Sequence, residues 1–235
     1  MKKVLVLVFL LNGILLFSQQ NFINVPSSEV TKKNKLFFQQ QINVNEQIQS
    51  NTTLDFGLGK GFEIGANVLG LNFSTNKNSF IKNDSSDKDP YNPLIMLNAL
   101  KHFEISETVS LAFGTQVGLN FNDNKNTTQA GLAYGNILFK NLLVHHSSLV
   151  FGAYYNSLHY GGEGNRVGMW VGTEIPATER VHFMAESVLG SNAISYTSLG
   201  VILYPAKRLP LTFGMQIPNV KNNSYSFVFE LTFVP

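Results

Sequence analysis

Few side chains in this sequence are placed to do chemistry. His145, His146, Ser147 and Ser148 stand together. Residues i and i+2 share one face of a strand, so His145 with Ser147, or His146 with Ser148, sets an imidazole within reach of a hydroxyl it could activate. Asn156 lies in the same strand register as Ser148 and offers a third polar group. The five histidines (102, 145, 146, 159 and 182) show no metal-ligand spacing, and adjacent His145 and His146 point to opposite faces of an extended chain. Asp84, Asp87 and Asp89 lack the spacing of a calcium loop and read as a solvated segment. Gly57-Leu58-Gly59-Lys60-Gly61 lacks the Gly-Lys-Ser/Thr ending of a phosphate loop and reads as a hairpin turn, and Gly161-Gly162-Glu163-Gly164 reads as a loop tip. No catalytic residue, metal site or cofactor is assigned on this basis. The other polar candidates are scattered singly, so their meaning depends on the elements that carry them.

Composition narrows those elements. The chain has 235 residues, 44% hydrophobic and 12% aromatic, with only 14% charged. A soluble globular domain usually carries about 25% charged residues. The aromatic and aliphatic content argues against disorder. With no cysteine, disulfide frameworks, thiolate metal sites and cysteine nucleophiles are excluded. Setting Lys2 and Lys3 aside leaves 15 basic and 15 acidic side chains, which is no footprint for nucleic acid.

Residues 1–18 read as a secretory signal peptide: Lys2 and Lys3, an apolar run from Val4 to Leu11, Ile14 to Phe17, then Ser18 before Gln19-Gln20. The run is shorter than the roughly 20 residues of a membrane-spanning helix. Residues 19–33 are expected to form an N-terminal periplasmic segment, and 34–235 one all-β domain.

The domain is written in alternation. Val109, Leu111, Phe113, Thr115, Val117, Leu119 and Phe121 form one register, and Ser110, Ala112, Gly114, Gln116, Gly118 and Asn120 form the other. The same split recurs in Tyr225 to Phe233, Val167 to Ile175 and Leu211 to Ile217, and in weaker form over 35–44, 52–58, 62–72, 94–103, 130–139, 148–157, 181–190 and 194–204. Twelve strands are predicted. A soluble barrel would fill its second register with lysine, glutamate and arginine. Here that register holds Gly57, Gly65, Gly114, Gly118, Gly135, Gly152, Gly168, Gly172, Gly200 and Gly214 with serine, alanine and amides. Glycine in a strand interior marks close approach or tight curvature, which a crowded lumen needs and a solvated outer face does not. Strands of about ten residues also match the roughly 9–11 tilted residues that cross a bilayer. Hydrocarbon admits only helices and closed barrels, because every backbone polar group must be paired internally.

The connections fit such a barrel. Gly59 to Gly61, Glu104 to Thr108, Lys140 to Ser147, Pro176 to Arg180 and Pro205 to Leu209 are compact. On the other side, Ser74 to Asn92, Asn122 to Thr128, Leu158 to Asn165 and Pro218 to Asn223 are longer, and 74–92 reads as a mobile hydrophilic tip. Together with the leader and the closing strand Phe229-Glu230-Leu231-Thr232-Phe233, this pattern resembles a Gram-negative outer-membrane β-barrel protein of the porin-like class. Val234 and Pro235 depart from the usual terminal aromatic. The resemblance covers about 34–235. It implies a transmembrane antiparallel up-and-down barrel with short periplasmic turns and longer outer loops, located in the outer membrane. It also implies two partners, outer-membrane lipids and the barrel-assembly machinery, which would read the C-terminal strand. No nucleic-acid partner is implied.

Function then falls to the lumen. Inward positions in this register include Asp55, Glu63, Asn67, Gln116, Asn120, Arg166, Glu174, His182, Glu186, Gln216 and Glu230. Five carboxylates against Arg166 give a negative potential, which favours cations over anions. The expected function is a passive channel or uptake protein for small polar or cationic solutes. The alternative is a plugged barrel with a structural or surface-interaction role, in which Arg166 pairs with Glu174 or Glu186. A third reading comes from outer-membrane phospholipase and lipid A deacylase, barrels that use a His-x-Ser pair. Here Leu149 follows Ser148 where those families usually have asparagine, and His145 and His146 fall in a periplasmic turn rather than on the outer-leaflet side. Tyr154, Tyr155, Tyr160, Tyr204 and Tyr225 are candidates for an aromatic girdle.

Overall fold

Residues 36–233 close into an antiparallel barrel. The computed structural model describes residues 21–235 except 122–126 and 222, together with the backbone only of Phe121 and Thr127; the leader at 1–18 and most of the 122–128 connection lie outside the described residues. The strands are β1 (Leu36–Val44), β2 (Gln47–Gly59), β3 (Phe62–Ser74), the short β4 (Ser79–Ile81), β5 (Leu94–Glu104), β6 (Val109–Phe121), β7 (Thr127–Lys140), β8 (Ser148–Asn156), β9 (Val167–Pro176), β10 (Val181–Leu189), β11 (Tyr196–Ala206), β12 (Leu209–Pro218) and β13 (Ser226–Phe233), with a single helical turn α1 (Leu158–Gly161). Each strand pairs with its neighbours in sequence, β4 is appended to the outer end of β3, and β1 pairs with β13 to close a ring of twelve. The all-β, twelve-stranded barrel expected from alternation is the fold observed.

The alternation sorts the faces as the sequence analysis predicts. Phe113, Val117, Phe151, Met169, Phe183, Leu199, Phe213, Phe227 and Phe229 are exposed on the outside, and Ala112, Asn120, Asn136, Trp170 and Thr212 are buried on the inside. Outward aromatics pair across strands, as with Phe213 and Phe229, whose ring centroids lie 5.3 Å apart. Among the described residues no helix is long and apolar enough to cross a membrane; the strands supply the apolar band.

Three local departures have physical causes. Strand β2 begins at Gln47, well before 52, although its outward positions Ser50 and Thr52 are polar. Gln40 on β1 satisfies them: its Nε2 donates to Ser50 Oγ (2.9 Å), and Thr52 Oγ1 donates to its Oε1 (2.7 Å). Strand β11 runs through Pro205 to Ala206, tolerated because the pairing with β12 shifts between Leu203 and Ala206 and no ladder bond is asked of the imide. The tip predicted over 74–92 is folded onto the barrel mouth. Asn83 Nδ2 donates to the carbonyls of Ser86, Asp89 and Pro90, and Tyr91 is buried with Leu94, Met96 and Ala130. Of the girdle tyrosines, Tyr155 and Tyr225 face outward, whereas Tyr154 and Tyr204 point into the barrel and Tyr160 sits on α1 beneath the long connections.

Phe213 is 47% exposed near the middle of β12 on the outer face. Phe213→Arg should lower unfolding stability in lipid vesicles by about 2–4 kcal/mol, the usual penalty for a basic side chain at the bilayer midplane. Denaturant titration of the vesicle-inserted protein reads this directly, and an unchanged midpoint would mean that this face does not contact hydrocarbon.

Candidate functional site

The interior is built from two unlike halves. Along β1 and β2 the inward positions Gln39, Gln41, Asn43, Gln49, Asn51 and Thr53 form an unbroken polar wall, continued by Asn67 on β3 and Asn98 on β5. Side chains in this wall hold one another. Gln41 Nε2 donates to Asn43 Oδ1 (2.8 Å), and Asn98 Nδ2 donates to both Asp55 Oδ1 and Asn67 Oδ1 (2.8 Å each). On the opposite side, Leu138, Val150, Met184, Ile202 and Val228 point inward from β7, β8, β10, β11 and β13.

The apolar half is covered by the chain itself. Residues 21–33, the described part of the 19–33 stretch expected as an N-terminal periplasmic segment, run inside the barrel. The segment leaves β1 at the short-turn end, where Lys33 bridges Gly57 and Asn34 N–H donates to the Gly57 carbonyl (2.8 Å). It then crosses to β9–β12, where Phe22, Ile23 and Val25 pack into the apolar cluster. Glycines of the inward register make the room. A Cβ at Gly172 would lie 2.7 Å from the Phe22 ring, one at Gly214 would lie 2.8 Å from Ile23 Cδ1, and one at Gly57 would collide with the carbonyls of Thr31 and Lys32.

Polar bonds fix the register of the segment. Glu186 accepts from Asn24 N–H (3.0 Å), Asn24 Nδ2 (2.8 Å), Val25 N–H (3.0 Å) and Ser198 Oγ (2.9 Å). Asn136 Nδ2 donates to the Pro26 carbonyl (2.8 Å), and its Oδ1 accepts from Trp170 Nε1 (2.6 Å). Thr31 N–H donates to Glu63 Oε2 (2.6 Å), His102 Nδ1 to the Ser28 carbonyl (2.8 Å), and Lys140 pairs with Glu29 at 2.5 Å.

Between the segment and the amide wall lies a cavity of about 580 Å³. It reaches from Asn45, Glu46, Lys82 and Asn223 at the long-loop end down to Glu29 and Glu63 near the short-turn end. Its other side carries Tyr91, Tyr134, Tyr160, Trp170 and Tyr196. Trp170 stacks on Tyr154 with centroids 5.0 Å apart, and Tyr134 is tilted against it at 5.5 Å.

Of the residues singled out from sequence, Asp55, Glu63, Gln116, Asn67 and Gln216 line this cavity. Asn120 is buried and donates to the Pro93 carbonyl (2.9 Å). Glu186 holds the N-terminal segment. Glu174 accepts from His182 Nδ1 (2.5 Å) and Tyr204 OH (3.0 Å) in a buried cluster, and Glu230 accepts from Thr232 Oγ1 (3.3 Å). Arg166 reaches neither Glu174 nor Glu186; its Nη1 donates to the Gly162 carbonyl (2.8 Å) in the outer connection. The His-x-Ser arrangement is not assembled. His145 and His146 are exposed on a turn, Ser147 Oγ donates to the Val144 carbonyl (2.7 Å) to close that turn, and Ser148 points into the barrel. Sequence reasoning passed over the amide wall, whose signal is the i, i+2 series Gln39, Gln41, Asn43. It also passed over Phe22-Ile23-Asn24-Val25, too short to show a period.

The fold has solved counterparts. A structure described as the KdgM porin in complex with disordered oligogalacturonate superposes with a TM-score of 0.59 at 7% identity, covering 84% of this chain and 98% of that one. A second KdgM porin structure gives 0.56 at 7% identity over the same shares. At that identity the likeness shows the fold, a porin-type barrel. No protein-family model matches the sequence, and no curated protein sequence matches it.

Glu186→Ala would leave the Asn24 and Val25 amides without their acceptor. Hydrogen exchange at these two amides should accelerate roughly 10-fold or more, consistent with the 1–3 kcal/mol carried by a buried polar group that loses its partner. Amides of β10 and β11 should stay protected. Equal acceleration across those strands would mean that Glu186 supports the wall rather than the segment.

Proposed function

We propose that this chain is an outer-membrane channel for small polar solutes, closed at its short-turn end by its own N-terminal segment and opened when that segment leaves the lumen. The observation that carries the reading is the amide-lined cavity, which runs from the long-loop mouth along β1–β5 and stops at residues 21–31. No strand has to move to extend it. The ladder that closes the barrel involves β1–β13 pairing alone, so withdrawal of the segment leaves the wall intact.

A preference for cations belongs to the same proposal. Glu29, Glu46, Asp55, Glu63 and Asp89 lie on the cavity against Lys82, with no arginine among the described residues. Such a lining concentrates positive charge and discourages anions. Support from the porin neighbours stops at the channel itself, because oligogalacturonate is a polyanion and this lining offers it one basic residue. Export through removal of residues 1–18, insertion by the assembly machinery acting on β13, and contact of the outer face with lipid complete the reading.

The packed tip of the segment favours a second reading, a permanently plugged barrel with a structural role. Planar-bilayer recording separates them. The wild-type protein should give brief cation-selective openings, and Glu186→Ala combined with Asn136→Ala should lengthen or multiply them. Electrical silence of both proteins at all voltages would leave the plugged barrel. In the open state, Asp55→Asn with Glu63→Gln should lower the cation-to-anion permeability ratio; an unmoved reversal potential would take these carboxylates out of the path.

A further inference from the structure

The cavity wall is specific in its chemistry as well as its extent. Of 44 lining residues, 17 are asparagine or glutamine. Each amide offers two donors and an acceptor at fixed separation and does not titrate. A ligand that matches it must itself both donate and accept, at many points, without charge. Hydroxyl groups do this. An anion needs donors unaccompanied by acceptors, and among the described residues Lys82 is the lone basic residue on the lining. A cation lodged at a fixed site needs a carboxylate free to ligate it, and deep in the cavity Asp55 already accepts from Asn98 and Glu63 from the Thr31 amide, so these two act on passing cations through the field of the lumen rather than as ligands.

Two further features point to the same ligand. Gln39 lines the cavity and its Oε1 accepts from Asn21 Nδ2 (3.0 Å), but its Nε2 is buried with no partner among the described residues. Asn72 Oδ1 on the same lining is likewise buried and unpartnered. Unsatisfied buried amides are rare in native structures, and a rotation of each side chain toward the lumen would let separate hydroxyl groups of one ligand relieve the orphan donor and the orphan acceptor. Facing the amide wall, the rings of Tyr91, Tyr134 and Tyr160 supply flat apolar surface with a polar rim, suited to the C–H faces of a sugar ring. The volume falls within the about 300–1,000 Å³ of small-molecule sites.

We infer that the lumen cavity is a binding site for a neutral polyhydroxylated ligand, a short uncharged oligosaccharide, held between the amide wall of β1–β3 and the tyrosine rings opposite. The inference deepens the channel reading and rests on it only for how the ligand reaches and leaves the site.

Trp170 is the single tryptophan and lines the cavity, so its emission reports occupancy in the full-length protein held in detergent. Titration with maltotriose, cellotriose and mannotriose should give a saturable change with at least one of them. Trigalacturonic acid and spermidine should bind at least 10-fold more weakly or not at all. Gln39→Leu should weaken the neutral sugar by about 3- to 10-fold, as expected for one neutral hydrogen bond. Tyr160→Leu in the outer connection should weaken it as well, which keeps the test alive if the strand variant fails to fold, and Lys207→Ala on the exposed turn between β11 and β12 should leave it unchanged. Absence of any saturable response to the neutral sugars, or equal affinity for trigalacturonic acid, overturns the assignment. Binding without conductance would uphold this site and remove the channel, and conductance that the sugars neither block nor slow would do the reverse.

Discussion

The pairing of β1 with β13 is the constraint from which the rest follows. Seven residue pairs, from Phe38 opposite Phe233 to Val44 opposite Phe227, join the first strand to the last. An open sheet of this composition would present two unpaired edges to hydrocarbon, where each orphaned backbone group costs several kcal/mol. Closing the ring removes the edges and creates a second problem. Alternation has committed the large apolar side chains to the outside, so the enclosed axis is left with glycines, amides and isolated carboxylates. That space must be filled by the chain or left to water.

The molecule does both, and the N-terminal segment decides where. Its order of residues matches the wall it meets. The apolar run Phe22-Ile23 and Val25 lies on the sector of Leu138, Val150, Met184, Ile202 and Val228, whereas the polar stretch Ser28 to Thr31 lies against His102, Lys140 and Glu63. Because the apolar sector is satisfied by the segment, β1–β5 are left facing a cavity with their amides. Gly172 and Gly214 serve the segment directly. Other glycines serve the wall: Gly114 and Gly168 lie beneath the rings of Tyr134 and Tyr154 on the neighbouring strands, so that one aromatic covers two positions.

How much of this was legible in the sequence depended on how far each feature repeats. The strands declared themselves because one register is large and apolar for ten residues at a time, and the turn Gly59-Lys60-Gly61 could be placed before any coordinates. The start of β2 was hidden because Ser50 and Thr52 break the outward apolar register, and only the Gln40 amide across the ladder explains how they are accommodated. Inward direction was readable for Glu174, Glu186 and Glu230, but occupation was not. Whether a lumen carboxylate faces solute, a histidine as at Glu174, or a backbone amide as at Glu186 is fixed by a partner 8 to 162 residues away. The segment at 21–34 was the least legible feature, since three apolar residues interrupted by Asn24 have no period and its binding surface is assembled from strands as far apart in sequence as β3 and β13.

On the proposed gating, the way the segment is held would make closure the resting state while leaving the barrel independent of it. Burying Phe22, Ile23 and Val25 contributes about 5–9 kcal/mol before the ordering of the segment is set against it. The anchors at Glu186, Asn136 and Glu63 are polar groups that water can satisfy once the lumen is wet, so their net contribution is smaller than the cost of leaving them unmade. Release therefore exchanges apolar contact for chain freedom, and none of the twelve strand pairings is spent in doing so. A ligand lodged between the amide wall and the rings would act on that balance through Asn21, whose side chain occupies the Oε1 of Gln39 and would compete with any hydroxyl seeking the same group. Occupancy of the proposed site and seating of the segment would thus meet at one amide, the segment at its Oε1 and the ligand at its Nε2.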